Sequence, residues 1–185
     1  MAFGLNRRIA FLAVAGLLAT APAAWAVDEN TVYLDTKDGR VTIELRPEIA
    51  PKHVAQLKTL IKQGFYNGLK FHRVMDGFMA QTGDPKGNGT GGSSLPNIPA
   101  EFSQAPFRRG TVGMARSSDP NSANSQFFIC LGDAPFLNGQ YTVVGLVSSG
   151  MEAVDAIKKA APGAPGGAVQ NPDKIVKMQM AQGAK

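Results

Sequence analysis

The sequence predicts a mainly β fold, in which short antiparallel strands form a closed barrel accompanied by two α-helices. Eight short segments alternate apolar with polar residues or are rich in β-branched and aromatic residues, whereas only two segments have helical periodicity. The 21 glycines and 12 prolines among 185 residues also favour turns over long helices. Closure is expected because it removes the exposed strand edges that would otherwise pair with other chains.

Residues 1–26 have the pattern of a cleaved secretory signal. Arg7 and Arg8 precede an apolar run at residues 9–19, and residues 24–26 form the A-x-A pattern typical of a cleavage site. A membrane anchor is the alternative, but it requires about 20 apolar residues, and a threonine and a proline interrupt this run first. We therefore expect an exported protein that has no membrane attachment after cleavage.

The expected mature chain, residues 27–185, reads as one domain that begins with a β-hairpin. Residues 32–35 and 41–45 alternate apolar and polar positions, and the turn sequence Lys-Asp-Gly lies between them. A helix is predicted at residues 50–63, because its apolar residues recur on one face and a proline occupies the first turn. Gly64 then ends the helix.

Six further strands and a second helix complete the predicted fold. The second helix, residues 151–159, places its apolar residues on one face. Residues 161–167 are rich in proline and glycine and are predicted to form a flexible loop. The six strands are predicted at residues 70–74, 78–82, 111–115, 126–130, 141–147 and 175–180.

The composition argues against several classes of function. Cys130 is the only cysteine, so the chain can form no internal disulfide, and its apolar neighbours predict a buried thiol. Two histidines leave little for a histidine-built metal site, and we expect neither a metal nor another cofactor. The net charge falls from +5 to +3 when Arg7 and Arg8 leave with the signal. The remaining basic residues are scattered, so no nucleic-acid partner is expected.

Two apparent catalytic motifs lack the context that they need. Gly87, Gly89 and Gly92 satisfy G-x-G-x-x-G, but Pro96 and Pro99 forbid the helix that a dinucleotide site requires. A serine hydrolase would carry a G-x-S-x-G turn, and the sequence contains none. The chain is therefore not expected to bind a dinucleotide or to hydrolyse its substrate through a serine nucleophile.

The most informative stretch is residues 64–84. It places Arg73 on one predicted strand and Gln81 on the next, with Phe78 and Met79 between them. A fixed cation, an amide and two apolar side chains would form a shallow pocket with a polar rim. The alternative is an ordinary strand with core aromatic residues and an arginine on the surface.

The motifs in this stretch resemble the signature region of the cyclophilin-type peptidyl-prolyl isomerases. They are FHR at residues 71–73, GFM at residues 77–79 and Q-x-GD at residues 81–84. The resemblance extends over about residues 32–147 through NGTGG (88–92), GMA (113–115), SQFFIC (125–130), LNG (137–139) and VG (144–145). It implies an eight-stranded antiparallel barrel capped by two helices, which fits the element count, and rotation of X-Pro bonds without a cofactor.

The resemblance also implies roles for individual residues. Arg73 matches the catalytic arginine, and Gln81 matches a glutamine that contacts the substrate backbone. The proline-ring pocket would comprise Phe78, Met79, Phe128 and Leu137; the neighbouring groove would comprise Ala115, Arg116 and Gln126 with Gly89 on its rim; and Phe136 and Tyr141 would complete the binding surface.

Three positions depart from the pattern of many eukaryotic members. Phe136 replaces a tryptophan, so cyclosporin binding is expected to be weak. Tyr141 replaces a histidine, which argues against an essential general acid there, and Arg116 replaces an asparagine. The sequence is similar in these respects to exported bacterial members.

The first hypothesis is therefore a monomeric, periplasmic or, as the alternative, fully secreted isomerase of unfolded or folding proteins with X-Pro bonds. Arg73 would weaken amide resonance by donating to the prolyl nitrogen, and its neighbour His72 would face the core because adjacent strand residues point to opposite faces. The second hypothesis is a chaperone or proline-peptide binding module that uses the same groove. The third is a secreted hydrolase, which the missing serine motif disfavours.

Overall fold

The computed structural model of the protein describes Met1 and residues 29–181. The predicted signal therefore lies outside the described residues apart from Met1, as do the last four residues of the chain. Within the described part, no helix is long and apolar enough to cross a membrane.

Eight strands, two α-helices and two short 3₁₀-helices make up the described chain. The helices are α1 (Pro51–Lys62) and α2 (Met151–Asp155), and the 3₁₀-helices are Pro135–Leu137 and Pro165–Gly167. The strands are β1 (Thr31–Thr36), β2 (Gly39–Leu45), β3 (Arg73–Met75), β4 (Met79–Thr82), β5 (Thr111–Met114), β6 (Phe127–Cys130), β7 (Val143–Ser149) and β8 (Lys177–Met180).

The strands form one antiparallel sheet in the order β3-β4-β6-β5-β7-β2-β1-β8. The mainly β, eight-stranded prediction is confirmed, but the sheet curls into a half-barrel and does not close, because no ladder joins the edge strands β3 and β8. The chain before β3, predicted as strand from residue 70, instead meets residues 173–175 through irregular contacts. The isolated bridge Lys70–Lys174 and the bond from the Phe71 N–H to the Asp173 carbonyl (2.9 Å) span the gap.

Strand alternation separates two apolar clusters on the two faces of the sheet. Ala80 and Ile129 point into the large core inside the curl, which also receives the buried face of α1. Their neighbours Met79, Phe128 and Cys130 point the other way and join a smaller cluster outside the curl. This second cluster forms the base on which the candidate site is built.

Helix α2 ends four residues earlier than predicted because its following backbone donors are used elsewhere. The Lys158 N–H donates to the Asp173 carboxylate (2.8 Å), and the Ala160 N–H donates to the Val74 carbonyl of β3 (2.9 Å). Ile157 remains buried even though it lies beyond the helix. The residues after α2 are therefore not helical, and their N–H groups bind β3 and the loop before β8.

Both histidines of the sequence are buried. His53 lies in the first turn of α1, and its Nδ1 contacts a Glu101 carboxylate oxygen at 2.6 Å, while the same carboxylate accepts from the Lys52 and His53 N–H groups. Burial lowers the pKa of His53, with the Glu101 charge opposing it. Burial also lowers the pKa of His72, against an opposing contribution from Asp84.

We predict that the free energy of unfolding falls as the pH is lowered from about 7 towards 5. The pKa of an unfolded histidine is about 6.5, and burial lowers the native pKa below it. At pH values between the native and the unfolded pKa the native state binds fewer protons than the unfolded state, so acid favours unfolding. Each buried histidine then removes at most about 1.4 kcal/mol per pH unit. Urea unfolding at a series of pH values measures the slope.

Titration of the histidine Cε1 protons by NMR is the direct check. Native pKa values at or above the ordinary histidine value for both residues would contradict the prediction. A His72→Gln variant, if it folds, is expected to show a shallower loss of stability below pH 7 than the parent.

Candidate active site

The register of three strands assembles the centre of the site. Arg73 on β3 lies opposite Gln81 on β4, and Gln81 lies opposite Phe128 on β6. Directly opposed residues of antiparallel strands share one face, so these three side chains form a row outside the curl. Phe128 in turn lies opposite Gly113 of β5. A Cβ atom at Gly113 would come within 2.6 Å of the Phe107 and Phe128 rings, so this position requires a glycine.

An apolar pocket lies beside this row. The Phe107 and Phe128 rings stack with centroids 5.8 Å apart, and Tyr141 meets the edge of Phe128 at 5.9 Å. The first 3₁₀-helix supplies the outer wall, where Leu137 is buried and the exposed Phe136 ring lies 5.4 Å from Phe78. These rings and the Met79 thioether therefore surround the base of the pocket.

The predicted site residues line two adjoining cavities. The first cavity has a volume of about 840 Å³, and the second a volume of about 430 Å³. Gln126 lines only the second cavity, and four predicted residues line both, namely Gln81, Gly89, Ala115 and Arg116. The predicted residues that line the first cavity alone are Arg73, Phe78, Met79, Phe128, Phe136, Leu137 and Tyr141.

A chain of hydrogen bonds to neutral groups holds Arg73. Its Nη1 donates to Gln81 Oε1 (3.1 Å), and Gln81 Nε2 donates to Gln126 Oε1 (2.8 Å). Gln126 Nε2 then donates to the carbonyls of Gly89 (3.1 Å) and Gly91 (2.8 Å). Among residues 29–181, no carboxylate lies within 4.0 Å of the Arg73 guanidinium. The positive charge therefore faces the cavity without a counter-ion.

The glycine-rich segment after β4 wraps around a buried aspartate. The Asp84 carboxylate accepts from the N–H groups of Lys86 (2.8 Å), Asn88 (3.0 Å) and Gly89 (2.6 Å). Burial acts to raise the pKa of Asp84, but these donors outweigh it and lower the pKa. A Cβ at Gly91 would lie 2.0 Å from Asp84 Oδ1. The glycines thus make a tight turn that presents the Gly89 and Gly91 carbonyls to Gln126. No helix lies between this turn and β5.

His72 is 6% exposed and borders the first cavity beside Gly89. Neither ring nitrogen has a hydrogen-bond partner within the described residues. His72 is buried as predicted, but it lies one residue before β3 and lines the same cavity as Arg73, so the strand alternation expected to separate the two side chains does not apply.

Sequence reasoning missed one wall of the first cavity. The segment predicted as a flexible loop, residues 161–167, contributes Pro165 and Gly166 to the lining, and Ala168 follows it directly. The Gly166 carbonyl accepts from Arg73 Nε at 2.7 Å. An isolated bridge also joins Ala168 to Arg73. No local pattern in the proline- and glycine-rich segment indicates this contact, because its partner lies 93 residues earlier in the chain.

Comparison with known proteins assigns the family. The family model described as cyclophilin type peptidyl-prolyl cis-trans isomerase/CLD matches residues 31–180. The chain belongs to this family. A Brucella suis protein named "Probable peptidyl-prolyl cis-trans isomerase" is 63% identical over 180 residues, covering 91% of this chain and 90% of that protein. A Helicobacter pylori peptidyl-prolyl cis-trans isomerase is 42% identical over 136 residues, 70% of this chain and 82% of that one.

Solved cyclophilin structures share the fold. The cyclophilin AquaCyp293 from Hirschia baltica matches with a TM-score of 0.72 and 29% identity, covering 82% of this chain and 74% of that one. A Cryptosporidium parvum cyclophilin, crystallised in the presence of the dipeptide Ala-Pro, matches with a TM-score of 0.74 and 28% identity. The match covers 82% of this chain and 99% of that one. The chain is therefore a cyclophilin-type isomerase of peptidyl-prolyl bonds, and the resemblance seen in its motifs is confirmed.

Gly167 offers a test of how the missed wall affects this cyclophilin. A Cβ at Gly167 would lie 2.5 Å from Met75 Cγ and 3.6 Å from Arg73 Cγ, whereas a Cβ at Gly163 would meet nothing within 4 Å. Both glycines have positive φ, 77° and 78°, so alanine strains the backbone at either position. We predict that Gly167→Ala lowers kcat/KM for an Ala-Pro peptide about three- to tenfold, because displaced side chains misplace the cavity wall.

Gly163→Ala is the matched control and is expected to stay within about twofold of the parent, since Gly163 lines neither cavity and the substitution adds the same kind of strain in open space. Peptide isomerisation assays and thermal unfolding of both variants separate activity from stability. Equal losses of activity in the two variants would show that backbone strain, not the contact with Met75 and Arg73, is responsible.

Proposed function

We propose that this cyclophilin is an exported isomerase that accelerates X-Pro rotation in proteins that fold after translocation. In this proposal Arg73 weakens the amide resonance and the apolar pocket holds the proline ring. The observation that carries it is a guanidinium without a counter-ion among the described residues, held by Gln81 and Gly166 in a cavity that the apolar side chains of Phe78, Met79, Phe128 and Leu137 also line. No proton transfer and no cofactor take part in this mechanism.

The reaction sets a defined energetic requirement. Partial double-bond character in the C–N bond produces a barrier of ~18–20 kcal/mol, and uncatalysed exchange takes about 10–100 s at 25 °C. A turnover of about 10 s⁻¹ requires acceleration of about 10³-fold, or about 4 kcal/mol. One charge-assisted hydrogen bond in a partly desolvated pocket, together with orientation of the substrate, has that magnitude.

Arg73 has donors available for this task. Its Nε and Nη1 donate to oxygen atoms of Gly166 and Gln81, whereas Nη2 contacts only the Met75 sulfur at 3.4 Å. A guanidinium carries five N–H groups, so donors remain for a substrate. The prolyl nitrogen becomes a better acceptor as it pyramidalises in the twisted state. The bond to it is therefore stronger in the transition state than in the planar ground state, as catalysis requires.

We predict that Arg73→Ala lowers kcat/KM on a short Ala-Pro peptide by about 10²-fold or more, because the transition-state donor is lost. Arg73→Lys is expected to lose at least about tenfold despite keeping its charge, since one ammonium cannot replace the fork that reaches Gln81 and Gly166. A protease-coupled or NMR exchange assay measures the rates.

Peptide affinity, measured by calorimetry on the same variants, serves as the control. It should change less than the rate, because Phe78, Met79, Phe128 and Leu137 still enclose the ring. Full activity in a folded Arg73→Ala protein would refute the mechanism. Retained binding without any acceleration by the parent protein would favour the binding-module hypothesis.

Export to the periplasm is the cellular part of the proposal, with full secretion as the alternative. It is supported by the arginine pair, the apolar run and the A-x-A pattern of residues 1–26. The slow exchange of X-Pro bonds limits the folding of many chains, and exported chains must fold after they cross the membrane. We propose further that the mature protein acts as a monomer and binds cyclosporin only weakly, since Phe136 replaces the tryptophan of many eukaryotic members.

We predict that the protein recovered from cells begins at Val27. Fractionation followed by intact-mass measurement should place a form that lacks residues 1–26 in the periplasmic fraction. A variant that carries Lys at positions 24 and 26 should retain the segment, because the cleavage site requires small residues. Recovery of the uncleaved parent chain from the cytoplasm would refute export while leaving the isomerase activity unaffected.

A further inference from the structure

Arg116 lines both cavities. Its guanidinium carbon lies 4.5 Å from the centre of the Tyr141 ring. Its Nε and Nη2 donate to the Gln140 carbonyl at 3.2 and 2.9 Å, and Nη1 donates to the Ser117 carbonyl at 2.9 Å. Ring stacking and these bonds hold the planar head in place.

The charge of Arg116 is not neutralised within the described residues. All its hydrogen-bond acceptors are backbone carbonyls, and no described carboxylate lies within 4.0 Å. The Asp119 carboxylate in the adjacent turn instead accepts from the Asn121 N–H at 2.9 Å. A guanidinium that is half-buried and has only neutral partners remains free to pair with an incoming anion.

The rest of the second cavity offers neutral hydrogen-bonding groups. Its lining includes hydroxyls and amides of Ser93, Asn97 and Asn124, and of the described residues that line it only Arg116 is charged. The first cavity adds Arg73, and its described lining likewise contains no carboxylate. The summed charge of the groove is therefore positive, which attracts acidic segments and repels basic ones.

We propose that the second cavity receives an acidic side chain of the substrate, one to three residues from the X-Pro bond, and that Arg116 pairs with its carboxylate. This proposal rests on the proposed function insofar as it places the X-Pro bond in the first cavity. The two cavities share Gln81, Gly89 and Ala115 as a wall, so an extended chain that advances about 3.3 Å per residue passes from one to the other. The class of favoured substrates is thus X-Pro segments that carry a nearby Asp or Glu.

Peptides around one Ala-Pro bond test this proposal. Each of the three positions on either side carries Glu, Gln or Lys in turn, and kcat/KM is measured at low and at moderate ionic strength. At one or more positions we expect Glu to exceed Lys by about three- to tenfold, with Gln between them and the difference smaller at higher salt. The neutral Gln peptides report the basic isomerase activity separately.

Arg116→Gln should reduce the Glu-to-Lys ratio to near one. Because the ratio compares two peptides on one variant, a general change in activity cancels. Arg108→Gln is the matched control, since Arg108 is exposed, lines neither cavity and carries the same charge. It should keep the parent ratio.

Three results would overturn the proposal: a parent ratio near one at every position, an unchanged ratio in Arg116→Gln, or an equal fall in Arg108→Gln. If the parent fails to accelerate even the Gln peptides, the proposed function fails, and the same ratios measured as peptide affinities by calorimetry then test the recognition of acidic segments on their own.

Discussion

The pairing of β3, β4 and β6 in one register is the constraint on which the rest of the site depends. It brings Arg73, Gln81 and Phe128 onto one face in a single row, so a cation, an amide and an aromatic ring become neighbours without help from any loop. A shift of one residue in β3 would turn Arg73 to the other face of the sheet, into the large core. The hydrogen bond between Arg73 and Gln81 and the apolar pocket beside them both follow from this register.

The oxygen atoms that accept hydrogen bonds from Arg73 and Arg116 belong to neutral groups, so they orient the two guanidinium groups without neutralising their charge. In the proposed mechanism, a carboxylate beside Arg73 would hold the guanidinium firmly but would also neutralise the charge that is proposed to act on the twisted amide. Gln81 and the Gly166 carbonyl instead orient the guanidinium and leave its charge available. Arg109 contrasts with Arg73, because its Nη1 and Nη2 donate to the Asp155 carboxylate and it lines neither cavity.

Much of the fold could be predicted because its signals are local. The alternation in β1 and β2 and the stripe on α1 are properties of neighbouring residues, and the motifs around Arg73 and Gln81 place both side chains. What could not be predicted depends on distant contacts. The open edge of the sheet reflects how residues 68–71 meet residues 173–175, and the wall at Gly166 reflects a partner 93 residues away.

The two faces of the sheet differ in their role: the inner face packs into the large core, and the outer face carries the candidate binding groove. Residues that point inward, such as Ile129 and Ala80, belong to the large core, where a change of one methylene is felt throughout the fold. Phe136 is 61% exposed, and Tyr141 and Arg116 lie half-buried on the opposite side, against the small cluster or above it. Substitutions at these three positions remove little buried apolar area, so they cost the fold little. If the groove binds X-Pro segments as proposed, substitutions at these three positions can change its preference while the sheet register that positions Arg73 stays the same.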